Sequence, residues 1–546
     1  MKRLIFSILP LILACGLLAG CSKGKTTSAL TPQNNTAATT VLVANSVDSV
    51  SVGIPAGIPT LDPYASGSSV GGIYVWQAIY QPLFGREVLG GALLPMIGKE
   101  VVFADDYSSA TVKLYDYVYD SSGKHITSDD VIYSYNTVIN LKTWTNVTSN
   151  IDKVEAIDDY TVKISVVTPR LNSLEDILSQ IFIVSKDSYN PTTAATKPIA
   201  TGPYTVNNYI AGTQLVLDKQ ENYWQKPDLI HPLNIANAKR IVFKIILETA
   251  QMAIALETGD IDIAASINPD ELVYFVDKNG NTLPDYTVNS INTNLFNNMA
   301  FNMAPGSRVS ANLKLRQAIL YAIDSKALVQ GVLGSAGSVV KSWGCNVYPD
   351  YNPKWDSEDY YDFDLEKAKA LIKDSGYNGE SIRIMCENNA QRSKAAQLIQ
   401  GFLLEIGVKT DILIYDAALF STYRYEFDQW DIILDNQANS AALAALWGNF
   451  LTQARATWKG VGVTYNGLHD DTLENLVQKA VAINGHSTQD MDAVHYYLKD
   501  NAIVYGLWAG YIYQVSQSGV TSIKLTDKLY LCPGACTFSP NYKSKS

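Results

Sequence analysis

The chain has 546 residues, 47% of them hydrophobic, which is too long for one core, so we expect two or more lobes. Its formal net charge of −11 argues against nucleic acid or anionic lipid as a partner of the folded body. No second long apolar run follows the first one at the start of the chain, which predicts a soluble body.

The chain opens with a positively charged start and the apolar run Leu4–Leu18, a pattern typical of a cleaved export signal over residues 1–20. The run is too short to span a bilayer comfortably. The tetrapeptide Leu-Ala-Gly-Cys that ends at Cys21 resembles the bacterial lipobox, in which the leader is cut before the cysteine and the cysteine carries lipid. We therefore expect Cys21 to be lipidated. An ordinary secretory signal with an incidental cysteine is the alternative.

Residues 21–47 are rich in Thr, Ser, Asn and Ala and bury too little apolar surface to fold, so we interpret them as a flexible tether. A chain of this length has a root-mean-square reach of about 28 Å. The predicted location is the outer face of the bacterial cell membrane or the periplasm, with the lipid bilayer contacted through the Cys21 anchor.

In the first half of the body, strand and helix patterns alternate in short pieces. Alternating Val and Ser from Val47 predict a strand, and "GGIYVWQAIYQPLF" has the apolar spacing of a helix. "ATVKLYDYVYD" alternates as a strand does, and "ITSDDVIYSYNTVIN" predicts a helix capped by Thr127 or Ser128. "VEAIDDYTVKISVV" predicts a hairpin, and "TGPYTVNNYIAGTQLVLDKQENYW" predicts a second strand pair.

In the second half, longer helices alternate with strands. "AQMAIALETGDIDIAASI" predicts a helix that stops at Gly259 and leads into a strand, and "NLKLRQAILYAIDSKALVQGVL" predicts one long amphipathic helix. "DLEKAKALIKDSGY" predicts a helix ended by Gly376. The succession "SIRIMCEN", "RSKAAQLIQGFLLEIGV", "KTDILIY" is strand, helix, strand, which implies a parallel sheet with helices on its faces.

From about residue 50 to about residue 530 these stretches, in this order, resemble the bacterial extracellular solute-binding proteins of family 5, the peptide/nickel group that feeds ABC importers. No single piece decides the resemblance, but eight pieces occur in register behind a lipobox. They are "LDPY" (61–64), "TSDDVIYSYN" (127–136), "ATGPYTVNNY" (200–209), "ENYW" (221–224), "ALETGDIDIA" (255–264), "AFNM" (300–303), "LRQAILYAID" (315–324) and "DLEKAKALIKDSGY" (364–377).

The resemblance implies an α/β fold of the periplasmic-binding-protein type, with two lobes, a hinge between them, mixed sheets flanked by helices and an extra inserted domain. Domain I would comprise residues 48–84, 200–298 and 512–546. Domain II would be the β-rich insertion 85–199, and domain III the α/β lid lobe 299–511. The family traps its ligand between the first and third domains by hinge closure.

In peptide-binding members an extended peptide lies between the lobes as an added strand. The loop that begins at Tyr64 resembles the receiving edge of the first domain. Gly67 allows close approach of the backbone, and the hydroxyl groups of Ser66 and Ser68 donate or accept hydrogen bonds. A plain turn of small residues is the alternative.

The segment Trp430–Trp447 resembles the third-domain strand that ends in an aspartate in dipeptide and oligopeptide binders. Asp435 matches this aspartate, which holds the ligand's α-ammonium because a desolvated cation needs a fixed opposite charge. Ile433 would offer backbone groups to the peptide, and Asn436 follows the aspartate as in some dipeptide binders. The Gly-Trp and Asp-Pro dipeptides frequent in the family are missing, so a local cap is the alternative role for Asp435.

Short-peptide members also present an arginine to the ligand carboxylate, and Arg392 is the arginine in the corresponding stretch of this chain. A surface salt bridge is its alternative role. Trp343, Trp447 and Trp508 are candidates for apolar or stacking walls of the cavity, with core positions as the alternative.

The body retains four cysteines, Cys345, Cys386, Cys532 and Cys536, and an exported protein permits disulfides in any of three pairings, including a tight Cys532–Cys536 loop. The five histidines show no paired metal-ligand spacing, so we expect no metal and no other cofactor. No Gly-x-Ser-x-Gly elbow, HExxH motif or P-loop occurs, which predicts a binding protein and not an enzyme.

The resemblance thus implies a monomeric, lipid-anchored solute-binding protein that captures peptides for ABC transporter permease subunits in the membrane. An oligosaccharide or a nickel chelate is the alternative ligand within the family. A sensor or adhesin that presents solute to a receptor is the alternative role.

Overall fold

The computed structural model describes residues 45–65, 71–334, 336–437, 441–452, 464–483 and 487–544. The predicted export signal, Cys21, most of the predicted tether, and Ser66, Gly67 and Ser68 lie outside these residues.

The strands are β1 (Val47–Ile54), β2 (Phe84–Gly85), β3 (Leu94–Pro95), β4 (Gly98–Phe103), β5 (Ser109–Leu114), β6 (Ile151–Asp158), β7 (Thr161–Val166), β8 (Tyr204–Ile210), β9 (Gln214–Lys219), β10 (Ala238–Ile245), β11 (Ile263–Ile267), β12 (Tyr286–Phe301), β13 (Gly337–Val339), β14 (Ile382–Glu387), β15 (Thr410–Tyr415), β16 (Ile432–Gln437), β17 (Val504–Gln517), β18 (Val520–Ser522) and β19 (Thr537–Phe538).

The α-helices are α1 (Trp76–Ile79), α2 (Ser128–Asn140), α3 (Thr145–Thr148), α4 (Ser173–Gln180), α5 (Pro191–Ala194), α6 (Thr249–Thr258), α7 (Leu313–Ala322), α8 (Ser325–Leu333), α9 (Leu365–Ser375), α10 (Ala390–Glu405), α11 (Ala417–Tyr423), α12 (Leu443–Leu451), α13 (Asp471–Ala480) and α14 (Thr488–Asp500). Short 3-10 helices span Gly72–Tyr74, Pro227–Leu229, Pro232–Asn234, Pro269–Tyr274, Pro353–Ser357 and Pro533–Ala535.

One large mixed sheet runs through the body in the order β15-β14-β16-β12-β17-β11-β1-β10-β9-β8, with β13 also paired to β17. Its two central strands are its longest: β12 has 16 residues and β17 has 14. They pair antiparallel, and their register shifts between Asn292 and Phe296 and again between Asn297 and Asn298. On one side these strands adjoin the sheet built from the first half of the body, and on the other side the sheet built from the second half.

The two sides have separate cores. One cluster of buried apolar residues is drawn from residues 47–265 and 520–538, whereas two adjoining clusters are drawn from residues 296–509. The two long central strands join the two sides, and Leu89 and Leu171 from the first half also pack against a core of the second half. The predicted α/β fold, with two lobes and mixed sheets flanked by helices, is confirmed.

The predicted strand–helix–strand unit of the second half is present as β14, α10 and β15. The two strands pair in parallel, from Ile382 opposite Thr410 to Glu387 opposite Tyr415. A parallel pair needs a crossover connection, and α10 provides it by packing on the sheet.

The β-rich stretch between the first lobe's segments forms its own antiparallel sheet, in the order β4-β5-β7-β6. The predicted hairpin is β6 with β7, and α2 packs on it. Thr127 caps α2 as predicted, in a capping box in which the Asp130 side chain accepts from the Thr127 main-chain N–H at 2.8 Å.

Two helix predictions were wrong in extent. The single long helix is divided into α7 and α8, because Ile323 adopts extended backbone and Asp324 begins a new helix by accepting from the Ala327 N–H at 3.0 Å. Both helices face one core, so the apolar spacing continues across the break. The helix expected from Gly71 is only the four-residue α1, since Tyr80 is already extended two residues before Pro82.

Candidate functional site

The candidate site lies at the carboxyl end of β16. This strand is parallel to β14, so both strands end at the same edge of the sheet, where open α/β sheets bind ligands. Alternation along the strand places Ile433, Asp435 and Gln437 on one face and Asn436 on the other. On the adjoining strand β12, the residues opposite them are Ala300, Asn298 and Phe296.

Asp435 forms an ion pair with Arg424, the residue that follows α11. The Arg424 Nη2 lies 2.5 Å from the Asp435 Oδ2, and the side chains are 20% and 6% exposed respectively. The other carboxylate oxygen, Oδ1, accepts from the main-chain N–H of Asn436 at 2.8 Å. The carboxylate predicted to bind a ligand's ammonium is therefore already paired with a cation of its own chain.

Three aromatic rings surround the guanidinium group of Arg424. Its Cζ lies 5.4 Å from the ring centres of Tyr425 and Tyr465 and 5.8 Å from that of Phe420. Cation–π contacts of this kind are strongest when the cation is desolvated. Burial raises the pKa of the Tyr465 hydroxyl, and the nearby Asp435 carboxylate raises it further, so the phenol stays protonated.

Trp343 belongs to the same group of side chains. Its ring stacks on Tyr465 with the ring centres 6.0 Å apart. With the Asn298 amide oriented to satisfy both neighbours, its oxygen accepts from the Trp343 Nε1 at 3.2 Å and its nitrogen donates to the main-chain oxygen of Asp435 at 3.3 Å. The structure thus brings Trp343, Asp435 and Ile433 together on one face. We call Asp435, Arg424, Tyr465, Asn298 and Gln437 the polar cluster.

Arg392 lies at the neighbouring strand end and not in the polar cluster. It stands in the first turn of α10, where its Nη2 pairs with the Glu387 Oε2 at the end of β14, and its side chain is 8% exposed. Two arginine–carboxylate pairs, Arg392–Glu387 and Arg424–Asp435, therefore mark the carboxyl edge of two adjacent strands.

A cavity of about 250 Å³ lies where the register of β12 and β17 is irregular. Its walls include Thr293 of β12, Gly510 of β17, Val340, Cys345 and Tyr351. The loop that contains Trp343 connects this cavity to the polar cluster, because the next residues, Gly344 and Cys345, line the cavity. Burial raises the pKa of the Cys345 thiol to about 12, so it remains a neutral wall of the cavity.

The other predicted site residues lie in the cores. Tyr64 is 1% exposed and donates from its hydroxyl to the main-chain oxygen of Phe182 at 2.6 Å. Trp447 and Trp508 are both fully buried, and the Trp447 Nε1 donates to the Trp343 main-chain oxygen at 2.9 Å. Neither tryptophan is among the described residues that line the cavity.

Sequence reasoning missed Arg424, Tyr465 and Gln437. Arg424 follows a short helix and lies 11 residues before its partner in the chain, at no spacing that a helix or a strand pair requires. Gln437 had one usable signal, because it stands two residues after Asp435 on the same strand and therefore on the same face. Tyr465 had none.

The four cysteines of the body are free, buried thiols in this structure. Cys536 and Cys532 lie on either side of a 3-10 turn, and the Cys536 thiol donates to the Cys532 main-chain oxygen at 3.7 Å. Within the described ranges, no group of three or more His, Cys, Asp or Glu side chains is placed to hold a metal ion.

The chain belongs to the bacterial extracellular solute-binding proteins, family 5, whose middle-region model matches residues 94–454. Members of this family are substrate-binding components of transport systems and not enzymes. Among similar proteins is the "Probable peptide ABC transporter periplasmic-binding protein y4tO" of Sinorhizobium fredii, 26% identical over 451 residues, which are 77% of this chain and 81% of that one. Glutathione-binding protein GsiB of Escherichia coli is 26% identical over 385 residues, 67% of this chain and 70% of the other.

Solved structures share the fold. The ABC transporter substrate-binding protein CtaP of Listeria monocytogenes superposes with a TM-score of 0.73 at 22% identity, over 90% of this chain and 100% of that chain. A dipeptide-binding protein from Pseudoalteromonas, in complex with Met-Leu, has a TM-score of 0.69 at 19% identity, also over 90% and 100%. Within the part of the chain that the structure describes, no helix has the length and apolar character needed to cross a membrane.

Proposed function

We propose that this protein is the lipid-anchored, extracytoplasmic solute-binding component of an ABC importer and that it captures peptides between its two lobes. The two arginine–carboxylate pairs at the carboxyl edge of β14 and β16 carry the proposal. A peptide is rich in polar main-chain groups, and this edge presents charge-assisted hydrogen-bonding groups next to the strands that the lobes share. The names of y4tO and of the Met-Leu complex support a peptide as the solute.

We further propose that domain I (48–84, 200–298 and 512–546) and domain III (299–511) close on the ligand, with domain II (85–199) as an insertion. The register shifts in β12 and β17 support a hinge at these strands, because an irregular ladder bends more easily than a regular one. In this scheme the loop after Tyr64 receives the ligand from domain I, and the polar cluster receives it from domain III. Permease subunits in the membrane then take the solute from the closed, monomeric protein.

Mass spectrometry of small molecules released by denaturing the purified body tests the solute class. We expect short peptides, and a narrow length distribution would indicate that both ends are recognised. Hexose oligomers would contradict the peptide assignment. Trp343, Trp447 and Trp508 are buried in the cores, which leaves the oligosaccharide alternative with less support than the sequence suggested.

The anchor is tested separately by Cys21→Ser. Because this residue would carry the lipid, we expect the variant to leave the membrane fraction, whereas Cys15→Ser, within the predicted export signal, should stay membrane-bound. Membrane retention of Cys21→Ser would contradict the lipobox interpretation without affecting the proposed solute class.

A further inference from the structure

We infer that Arg424 supplies the positive charge that Asp435 would otherwise take from a ligand, and that this protein therefore accepts peptides whose amino end is uncharged. This inference rests on the proposed function, and it concerns which peptides the site selects. It departs from the sequence-based expectation that Asp435 holds a free α-ammonium.

The first step is the charge balance at Asp435. Each of its carboxylate oxygens has a donor from the chain itself, Arg424 Nη2 at 2.5 Å and the Asn436 N–H at 2.8 Å. The carboxylate side chain is 6% exposed. An α-ammonium that approached it would lose its hydration and would meet a carboxylate whose charge is already neutralised, next to a like-charged guanidinium.

The second step is that Arg424 is fixed in this position. Phe420, Tyr425 and Tyr465 lie around its guanidinium carbon, all within 5.8 Å. A group held by an ion pair and by three rings is not a free side chain that moves aside at no cost. For a ligand ammonium to replace it, the contacts of Arg424 with the rings would also have to be replaced.

The third step is the kind of hydrogen-bonding capacity left over in the polar cluster. Among the described residues, the Arg424 Nε and the Gln437 Nε2 are buried without a hydrogen-bond partner. Both are N–H donors, and a buried donor without a partner is costly. An acceptor oxygen satisfies such donors and an ammonium does not. Two groups of a peptide supply such an oxygen, the carbonyl of an N-acyl group and the terminal carboxylate.

The experiment uses one mixed tripeptide library in four forms: free, N-acetylated, C-amidated, and blocked at both ends. Wild-type protein is incubated with equal amounts, and retained peptides are counted by mass spectrometry. We expect N-acetylated peptides to be retained at least as well as free ones, within the roughly threefold scatter of the measurement. A loss on amidation would identify the terminal carboxylate as the acceptor, and no loss would identify the acyl carbonyl; both agree with the inference. A preference for free amino ends of more than about threefold would overturn it and leave the proposed function standing. Retention of no form would overturn both.

Variants give a second readout. In Arg424→Met, Asp435 lacks its cation, so we expect the protein to gain at least a tenfold preference for free amino ends. Adding Asp435→Asn should remove that preference. Lys394→Met, at an exposed cation on α10, is the matched control and should behave as wild type. If Arg424→Met stays indifferent to acetylation, the inference is wrong. If that variant does not fold, the wild-type comparison still decides.

Discussion

Two buried aspartates, Asp431 just before β16 and Asp435 within it, are each paired with arginine, yet their surroundings differ. Asp431, just before the strand, accepts from the main-chain N–H of Arg308 at 3.3 Å and of Arg383 at 2.9 Å. It also accepts from the guanidinium groups of both arginines at 2.9 to 3.2 Å. Asp435, near the other end, has one arginine and the amide of its own neighbour.

The two carboxylates differ in how fully their hydrogen-bonding groups are used. A carboxylate has about four acceptor positions, and those of Asp431 are all taken by fixed donors. Burial alone would raise the pKa of Asp431, but the hydrogen bonds and charges of Arg383 and Arg308 outweigh it and hold the pKa below the ordinary value. At Asp435 the partner arginine keeps a buried N–H without an acceptor. Both aspartates are buried and both pair with arginine. What distinguishes them is that, among the described residues, only the arginine partner of Asp435 has a buried N–H without an acceptor.

The largest expected effect is on stability and concerns Asp431, whose acceptor positions are all occupied. Asp431→Asn leaves two arginines without their shared counter-ion and should lower the free energy of unfolding by about 3 kcal/mol, the low end for a broken buried pair because Arg308 is partly exposed. Urea unfolding followed by circular dichroism measures it. Asp411→Asn, at an exposed position on β15, is the control and should change stability by less than about 0.5 kcal/mol.

Wild type and Asp431→Asn also test whether the negative charge of Asp431 stabilises the fold. Because its pKa is lowered in the fold, its stabilising contribution is present above the unfolded value of about 4 and is lost as pH falls through the folded value. The stability gap between wild type and Asp431→Asn should therefore narrow between pH 6 and pH 3. A gap that does not change with pH would show that shape and not charge makes Asp431 important.

At Asp435, whose partner Arg424 keeps a buried N–H without an acceptor among the described residues, the expected effect is on ligand binding. Asp435→Asn removes the partner that orients Arg424 and should weaken binding of the released solute about tenfold, or ~1.4 kcal/mol, with a stability loss near 1 kcal/mol. Isothermal titration calorimetry gives the affinity. Asp431→Asn, measured where it is folded, should stay within about twofold of wild type. Equal losses of affinity in the two variants would erase the distinction between the two ends.

Asp527, a half-buried carboxylate, extends the comparison and has the smallest expected effect. Burial raises the pKa of Asp527 to about 6, against the attraction of Lys528 and Arg86, and its Oδ2 has no hydrogen-bond partner among the described residues. Because the folded value lies above the unfolded one, stability falls as pH rises through about 6. Asp527→Asn should stabilise the protein by about 1 kcal/mol at pH 8 and not at pH 4. The urea unfolding midpoints of wild type and Asp527→Asn at pH 8 and at pH 4 measure this effect. A gain in stability at both pH values would contradict the prediction.

Much of the fold could be predicted because its signals are local. The Gly259 and Gly376 ends of α6 and α9 lie in the left-handed region that glycine tolerates, and both were predicted from the glycine itself. The break between α7 and α8 was missed because the two helices bury their apolar residues against one core, so the spacing hides the turn. The sequence suggested Asp435 as a candidate site residue, but it did not predict the contacts that this side chain makes in the structure.

The sequence by itself determined the family, the two-lobed α/β architecture and the strand that ends at the site, because these depend on periodicity and on short motifs in order. Only the tertiary structure decided which donors each buried carboxylate meets. Asp431 and Asp435 look alike in the sequence, but Arg308 and Arg383 converge on the first while Arg424 alone reaches the second. That outcome depends on how α11 and the loops pack against β16, and no local pattern along the chain encodes it.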